Sequence, residues 1–190
     1  MQSVKEKWNR IYARSAGVPV VTAVLAENAF LLPPSGQALD LACGLGANAL
    51  FLARSGLAVS AWDIAEDAIA KLAAAAERQG LALRAEVKAI DAQAFAEQQF
   101  DVIVVSRFLV RELGPAICNA LAPGGLLFYQ TYTQAKVSPV GPSNPAFLLQ
   151  PAELVQLFSP LQLLYFRDNG LQGDCTQGLR NEAQYIGKRL

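Results

Sequence analysis

The residues from Ala38 to Asp63 constrain the fold of this chain more than any others. An apolar run leads into Asp40, Leu41, Ala42 and Cys43, and Gly44 and Gly46 follow on either side of Leu45. The segment 47–55 then carries Arg54 in its last turn, with Gly56 just past it, which is a helix stop. A second apolar run, 57–63, closes on Asp63. The pattern predicts a strand (37–42), a glycine turn, a helix and a second strand. Two strands joined through a helix lie parallel, so this one stretch fixes the fold class as α/β.

The rest of the chain extends that alternation. Segment 65–79 has Ile69, Leu72, Ala73 and Ala76 on one stripe, Glu66 and Asp67 in its first turn, Arg78 in its last and Gly80 beyond, an amphipathic helix in which Asp67 and Lys71 are spaced to pair. Strands are expected at 83–89 and at 100–106, the latter apolar enough to be buried on both faces. A helix is expected at 109–121, interrupted early by Pro115. Pro123, Gly124 and Gly125 turn the chain into a strand at 126–131. Residues 133–150 hold Pro139, Pro142, Pro145 and Gly141 with little periodicity, a loop long enough to suggest a role. A short helix at 152–158 and strands at 161–167 and 181–188 complete the series. Two helices, 5–14 and 20–30, precede it and end at Pro33 to Gly36. The expected architecture is a three-layer α/β/α sandwich of Rossmann-like type, its seven-stranded sheet mostly parallel with an antiparallel last strand.

Composition removes several classes of function. The 190 residues contain no histidine, so imidazole bases and histidine metal ligands are excluded, and no metal site is expected. Sixteen basic residues balance sixteen acidic ones, leaving no excess to meet a phosphate backbone, which argues against a nucleic-acid partner. Cys43, Cys118 and Cys175 are too few for a disulfide framework, and with the mixed-charge start they lead to an expected cytoplasmic location. The uncharged stretch 113–135 is broken by Pro115, Pro123, Gly124 and Gly125, so no membrane span is expected.

The glycine turn points to a nucleoside. Gly44 and Gly46 let the backbone approach a ligand, the following helix presents free N–H groups, and Asp63 at the end of the second strand can accept ribose hydroxyls. The spacing Gly44 to Ala49 also satisfies the relaxed dinucleotide fingerprint. Asp40 separates the two readings. A carboxylate beside the helix N-terminus repels a diphosphate but suits a ligand with a cationic end. A plainer role for Asp40 is to cap the loop amides.

Along nearly its whole length the chain resembles the class I S-adenosylmethionine-dependent methyltransferases. Asp40 to Gly46 is similar to that family's first motif, D-x-G-x-G-x-G, with Ala42 in place of the first glycine. Trp62, Asp63 and Ile64 look like the second motif, whose acid holds the ribose. Ile90, Asp91 and Ala92 look like the third, where an acid and the next amide recognise adenine. Phe100 to Ser106 is similar to the family's fourth strand, and Leu121 to Leu127 to the motif that opens its fifth. The resemblance implies S-adenosylmethionine as cofactor and S-adenosylhomocysteine as product. It implies cofactor contacts at Asp40, Ala42, Cys43, Gly44, Gly46, Asn48, Asp63, Ile64, Asp91, Ala92 and Ser106. Residues 7–12 and 141–149 resemble small bacterial methyltransferases related to the tellurite-resistance enzyme. There the leading helix covers the cofactor, so Trp8 and Tyr12 either touch it or anchor the helix. That enzyme's late histidine has no counterpart here, which puts tellurite itself in doubt.

These readings make residues 1–190 one methyltransferase domain: a helical cover at 1–36, a cofactor core at 37–132, a lid at 133–150 and the remainder of the sheet at 151–190. The expected acceptor is a small molecule, and the protein a monomer or homodimer. Arg107 and Arg111 follow the fourth strand four residues apart. On a helix begun by Arg107 they share a face and can grip an anion, although either can instead pair with an acid; Tyr132 completes that side. Phe147, Leu148 and Leu149 are expected to close over the site or to meet a partner. No catalytic base is assigned, since Tyr12, Glu112 and Tyr132 form no dyad. An NAD-linked oxidoreductase, a protein methyltransferase and a cofactor-binding partner subunit remain as alternatives.

Overall fold

The computed structural model describes residues 2–15, 19–96 and 98–190, so Met1 and part of the expected 1–36 cover lie outside the described residues. Seven strands form one sheet in the order β3-β2-β1-β4-β5-β7-β6. They are β1 (Gln37–Leu41), β2 (Ala58–Asp63), β3 (Leu83–Val87), β4 (Phe100–Ser106), β5 (Leu121–Tyr132), β6 (Gln162–Arg167) and β7 (Glu182–Lys188). The pairs from β3 through β5 are parallel, and β7 runs antiparallel to both β5 and β6. This is the expected Rossmann-like sheet with its reversed last strand. The chain leaves β1 toward β2 on one side and returns to β4 on the other. That reversal opens a crevice at the carboxyl ends of β1 and β4.

Period-two alternation divides the core. Leu39, Leu41, Ile103, Val105, Leu127, Tyr129 and Tyr185 bury themselves on one face with Phe158. Ala38, Val59, Ala61, Val102, Val104, Phe128 and Ile186 do so on the other. Helices α3 (Ala47–Arg54) and α4 (Glu66–Arg78) pack on the second face, each followed by a glycine at positive φ, Gly56 and Gly80. The remaining helices are α1 (Gln2–Arg14), α2 (Ala23–Glu27), α5 (Gly114–Ala120) and α6 (Glu153–Leu157).

Four expectations need correction. The helix expected at 109–121 shrinks to a 3-10 turn at Arg111–Leu113 and α5, because Arg107 adopts a left-handed φ of 53° and Pro115 is tolerated only in a first turn. The glycine turn at 123–125 is absorbed into β5 as a bulge, since β5 advances from Leu121 to Leu126 while β4 advances from Phe100 to Val102. Lys71 does not pair with Asp67. Its Nζ donates to the carbonyls of Tyr12 (2.6 Å), Ala13 (3.1 Å) and Ser15 (3.2 Å), giving the otherwise unsatisfied end of α1 its donors. Finally, Leu148 and Leu149 are core residues rather than exposed ones, and the N–H of Leu149 donates to the Tyr132 carbonyl (2.9 Å); Phe147 is exposed.

Helix α1 lies on α4. The Lys5 ammonium meets Glu66 at 2.6 Å, and the Asp67 N–H donates to Asn9 Oδ1 at 3.3 Å. These contacts and the Lys71 cap carry Tyr12 over the glycine turn.

Candidate active site

Beyond Leu41 the backbone turns left-handed three times, at Ala42 (φ 54°), Gly44 (φ 52°) and Gly46 (φ 75°). Only glycine adopts that region without steric cost, so Ala42 holds a strained conformation. Space enforces the two glycines as well. A Cβ on Gly46 would enter the side chain of Leu72, and one on Gly44 would come within 2.8 Å of the Tyr12 hydroxyl. The Cys43 N–H continues the β1–β2 ladder by donating to the Trp62 carbonyl at 2.9 Å. Burial first, then the Asp40 carboxylate, pushes the Cys43 thiol well up, which fits a small filler rather than a nucleophile.

Two buried carboxylates stand beneath this turn. Asp40 Oδ2 accepts from the Ala49 N–H (2.9 Å) in the first turn of α3, whereas Oδ1 has no hydrogen-bond partner among the described residues. The cap it supplies is therefore to α3 and not to the loop, and the nearby Asn48 side chain favours its charged form. Burial pushes its pKa up to about 7. Asp63 Oδ2 accepts from the Gly44 N–H (2.8 Å) and Oδ1 from the Ala65 N–H (2.9 Å). Both oxygens expected to be open to ribose hydroxyls already fix the loop backbone, which leaves each one further lone pair. Burial raises the pKa of Asp63 too. Ile64 follows, half-buried. Asp91, expected to read adenine with Ala92, is exposed and caps the 3-10 turn Ala92–Phe95 through the Ala94 N–H at 2.9 Å. Tyr12 stacks on Trp8 at 5.6 Å. Burial, then the charges of Asp63, Cys43 and Asp40, push its hydroxyl pKa up, so it is a donor and no base.

A cleft of about 590 Å³ adjoins the turn. Leu45 and Ser106 lie on its cofactor-loop side, Arg107, Gln130, Tyr132 and Glu182 on its floor, and residues 19–23 form a wall. Asn48 bridges the two halves, donating to Ser106 Oγ (3.3 Å) and accepting from the Thr22 N–H (2.9 Å). Glu182, which the sequence reading missed, is buried and accepts from Arg107 Nε at 2.7 Å and from the Gln130 amide. The Arg107 guanidinium also lies 5.8 Å from the Tyr132 ring centre. Gln130 was missed as well. Neither residue carries a local motif, and each meets its partner across a long stretch of chain.

The two arginines do not act as a pair. Arg111 is bound bidentately by Glu153 and donates to the carbonyls of Ala146 (2.7 Å) and Leu148 (3.0 Å), so it staples the 145–153 segment to the body. Arg107 remains on the cleft, with 64% of its side chain exposed. A second hollow of about 510 Å³, between the 92–99 turn and α5, presents no titratable side chain among the described residues. No described helix is long and apolar enough to cross a membrane, and no cluster of metal-ligating side chains occurs among the described residues.

Residues 9–131 match the family model described as tellurite resistance protein TehB. The chain is 29% identical over 160 residues to a ubiquinone biosynthesis O-methyltransferase of Methylocella silvestris, covering 74% of this chain and 62% of that protein. It is 31% identical over 109 residues to a probable S-adenosyl-L-methionine-dependent methyltransferase TehB of Haemophilus influenzae, covering 56% of this chain and 37% of that one. The chain thus spans less than two thirds of the length of these relatives. The crystal structure of TehB from Haemophilus influenzae superposes with a TM-score of 0.73 at 22% identity, over 96% of this chain and 67% of the other, which shows a shared fold. The match over residues 9–131 and the shared sheet place this chain in the TehB family.

Proposed function

We propose that the chain transfers a methyl group from S-adenosylmethionine to a small anionic acceptor. One observation carries this reading. A glycine turn over a buried carboxylate with an unpartnered oxygen, Asp40 Oδ1, adjoins a cleft lined by Arg107. The unpartnered oxygen suits a ligand with a cationic end and repels a diphosphate. The relatives, a probable S-adenosyl-L-methionine-dependent methyltransferase and an O-methyltransferase, agree with it.

Asp40, Asp63, the glycine turn and Tyr12 are the residues that would hold the cofactor. When bound, the cofactor supplies a methyl already activated by its sulfonium. The chain's own task is then alignment, which can lower a barrier by roughly 7–11 kcal/mol. With no histidine in the sequence and the pKa values of Tyr12 and Tyr132 raised by burial, the cleft offers no imidazole or phenolate base, and its Glu182 carboxylate is tied to Arg107. It suits an acceptor whose nucleophile is ionised or soft at neutral pH. The balanced charge favours a small molecule over nucleic acid.

Calorimetric titration with S-adenosylhomocysteine, with NAD in a parallel cell, tests the cofactor side. Micromolar binding of the first and none of the second is expected; binding of NAD alone would sink the proposal. Transfer of labelled methyl is then expected to carboxylates or phenolates in preference to neutral analogues.

A further inference from the structure

We propose that Gln130 and Glu182 are positioning residues that hold Arg107 and the α2 wall as one unit, so that acceptor affinity depends on a buried polar chain beneath the cleft. The inference rests on the methyltransferase reading only for what the cleft binds. The chain of contacts starts at α2. Its N-cap residue, Thr22, makes no side-chain cap bond. Instead the Val24 N–H donates to Gln130 Oε1 at 2.8 Å, so a glutamine from β5 caps α2 from below. Gln184 Nε2 donates to the same oxygen at 3.1 Å and fixes which way the amide points. The nitrogen of Gln130 must therefore face Glu182, to which it donates. Glu182 uses its other oxygen to accept from Arg107 Nε.

Arg107 is thus held at one edge. Its N–H donates to the Gln130 carbonyl at 2.8 Å, its backbone is left-handed, and its Nε is tied to Glu182. Nη1 and Nη2 have no hydrogen-bond partner among the described residues, and they form the fork that matches a planar oxyanion such as a carboxylate. Removing Gln130 takes away the group that holds Glu182 in place and releases the wall at the same time. The cofactor side, built on Asp40 and Asp63, shares none of these bonds.

The test uses the full chain with the variants Gln130→Met and Arg107→Gln. The Nε–H signal of Arg107 in a nitrogen-15 spectrum, assigned by its loss in Arg107→Gln, is expected to exchange slowly with water in the native chain. In Gln130→Met it is expected to exchange about tenfold faster. Should that variant not fold, Gln130→Leu, which likewise removes the donor to Glu182, gives the same readout. Benzoate, with benzamide as its uncharged control, is then titrated into chain saturated with S-adenosylhomocysteine. A preference for benzoate of about tenfold is expected in the native chain, lost in Arg107→Gln and reduced severalfold in Gln130→Met. The affinity for S-adenosylhomocysteine should change less than that for benzoate, since only Asn48, which accepts from the Thr22 N–H, ties the wall to the cofactor side among the described bonds. An Arg107 signal as protected in the Gln130 variant as in the native chain overturns the proposal. So does a benzoate preference that is absent from the native chain, survives in Arg107→Gln or is undiminished in Gln130→Met. Failure of S-adenosylhomocysteine to bind strikes the methyltransferase reading instead, and the exchange measurement, which needs no ligand, still decides this one.

Discussion

The two halves of the cleft are built from different materials. On the cofactor side the working parts are backbone: three left-handed residues within five positions, and carboxylates held by the amides of Gly44, Ala49 and Ala65. On the acceptor side they are side chains from distant strands, joined as Arg107 to Glu182, Gln130 to Glu182 and Gln130 to Val24. A backbone site tolerates little change, because its shape is the path of the chain. A side-chain site can be altered one contact at a time. That difference allows a fold to keep one cofactor while its acceptors diverge.

The contrast is sharpest at Gly46. Gly46→Ala combines a left-handed alanine with a clash against buried Leu72, and is expected to cost about 2–5 kcal/mol. Urea denaturation should show that loss, together with loss of S-adenosylhomocysteine binding. If stability is unchanged, the cofactor side is less rigid than the backbone account requires.

Asp40 comes next. Its folded pKa of about 7 lies above the ordinary carboxyl value. The folded state therefore favours the protonated acid. The stability this contributes is fully present below about pH 4 and lost as the pH rises through about 7. The ligand-free protein should be more stable at pH 5 than at pH 8. Asp40→Asn should flatten that difference, stabilise the protein at pH 8 by on the order of 2 kcal/mol and weaken S-adenosylhomocysteine binding. Thermal melts of both proteins across this range check the sign.

The two arginines test the acceptor side. Arg111→Ala frees the 145–153 segment and is expected to cost about 1–2 kcal/mol of stability, its partial exposure being allowed for, with little effect on anion binding. Arg107→Gln should do the reverse. Equal effects in denaturation and in benzoate titration would erase the distinction between staple and fork. The smallest expected effect is at Ala42. Ala42→Gly removes the strain of a left-handed alanine but adds chain entropy, for a net gain of about 0.5 kcal/mol, measurable as a small rise in denaturation midpoint.

This division also explains what could be read in advance. The strands themselves, the reversed β7 and the positions of Asp40 and Asp63 follow from local pattern, because periodicity and glycine spacing act over a few residues. The readings that failed depend on contacts no window contains. Lys71 faces Asp67 on its own helix, yet the open carbonyls of α1 compete for it successfully. Arg107 and Arg111 have helical spacing, but the left-handed turn at Arg107 sends them apart. Glu182 and Gln130 look like ordinary strand residues, and only pairing across 75 and 52 positions makes them part of the site.

The reversal of β7 also bears on how the protein is made. In the parallel strands the residues at the rim of the cleft are the last of each strand, but in β7 the rim residue is the first, Glu182. Synthesis delivers 75 positions of chain between Arg107 and the carboxylate that anchors it, which at roughly 5–20 residues per second takes several seconds. The glycine turn, Asp40 and Asp63 have all been translated by then. A ribosome-bound chain can therefore present its nucleoside cradle before its acceptor floor exists, and the proposed methyl transfer has to wait for one of the last strands to be laid in place.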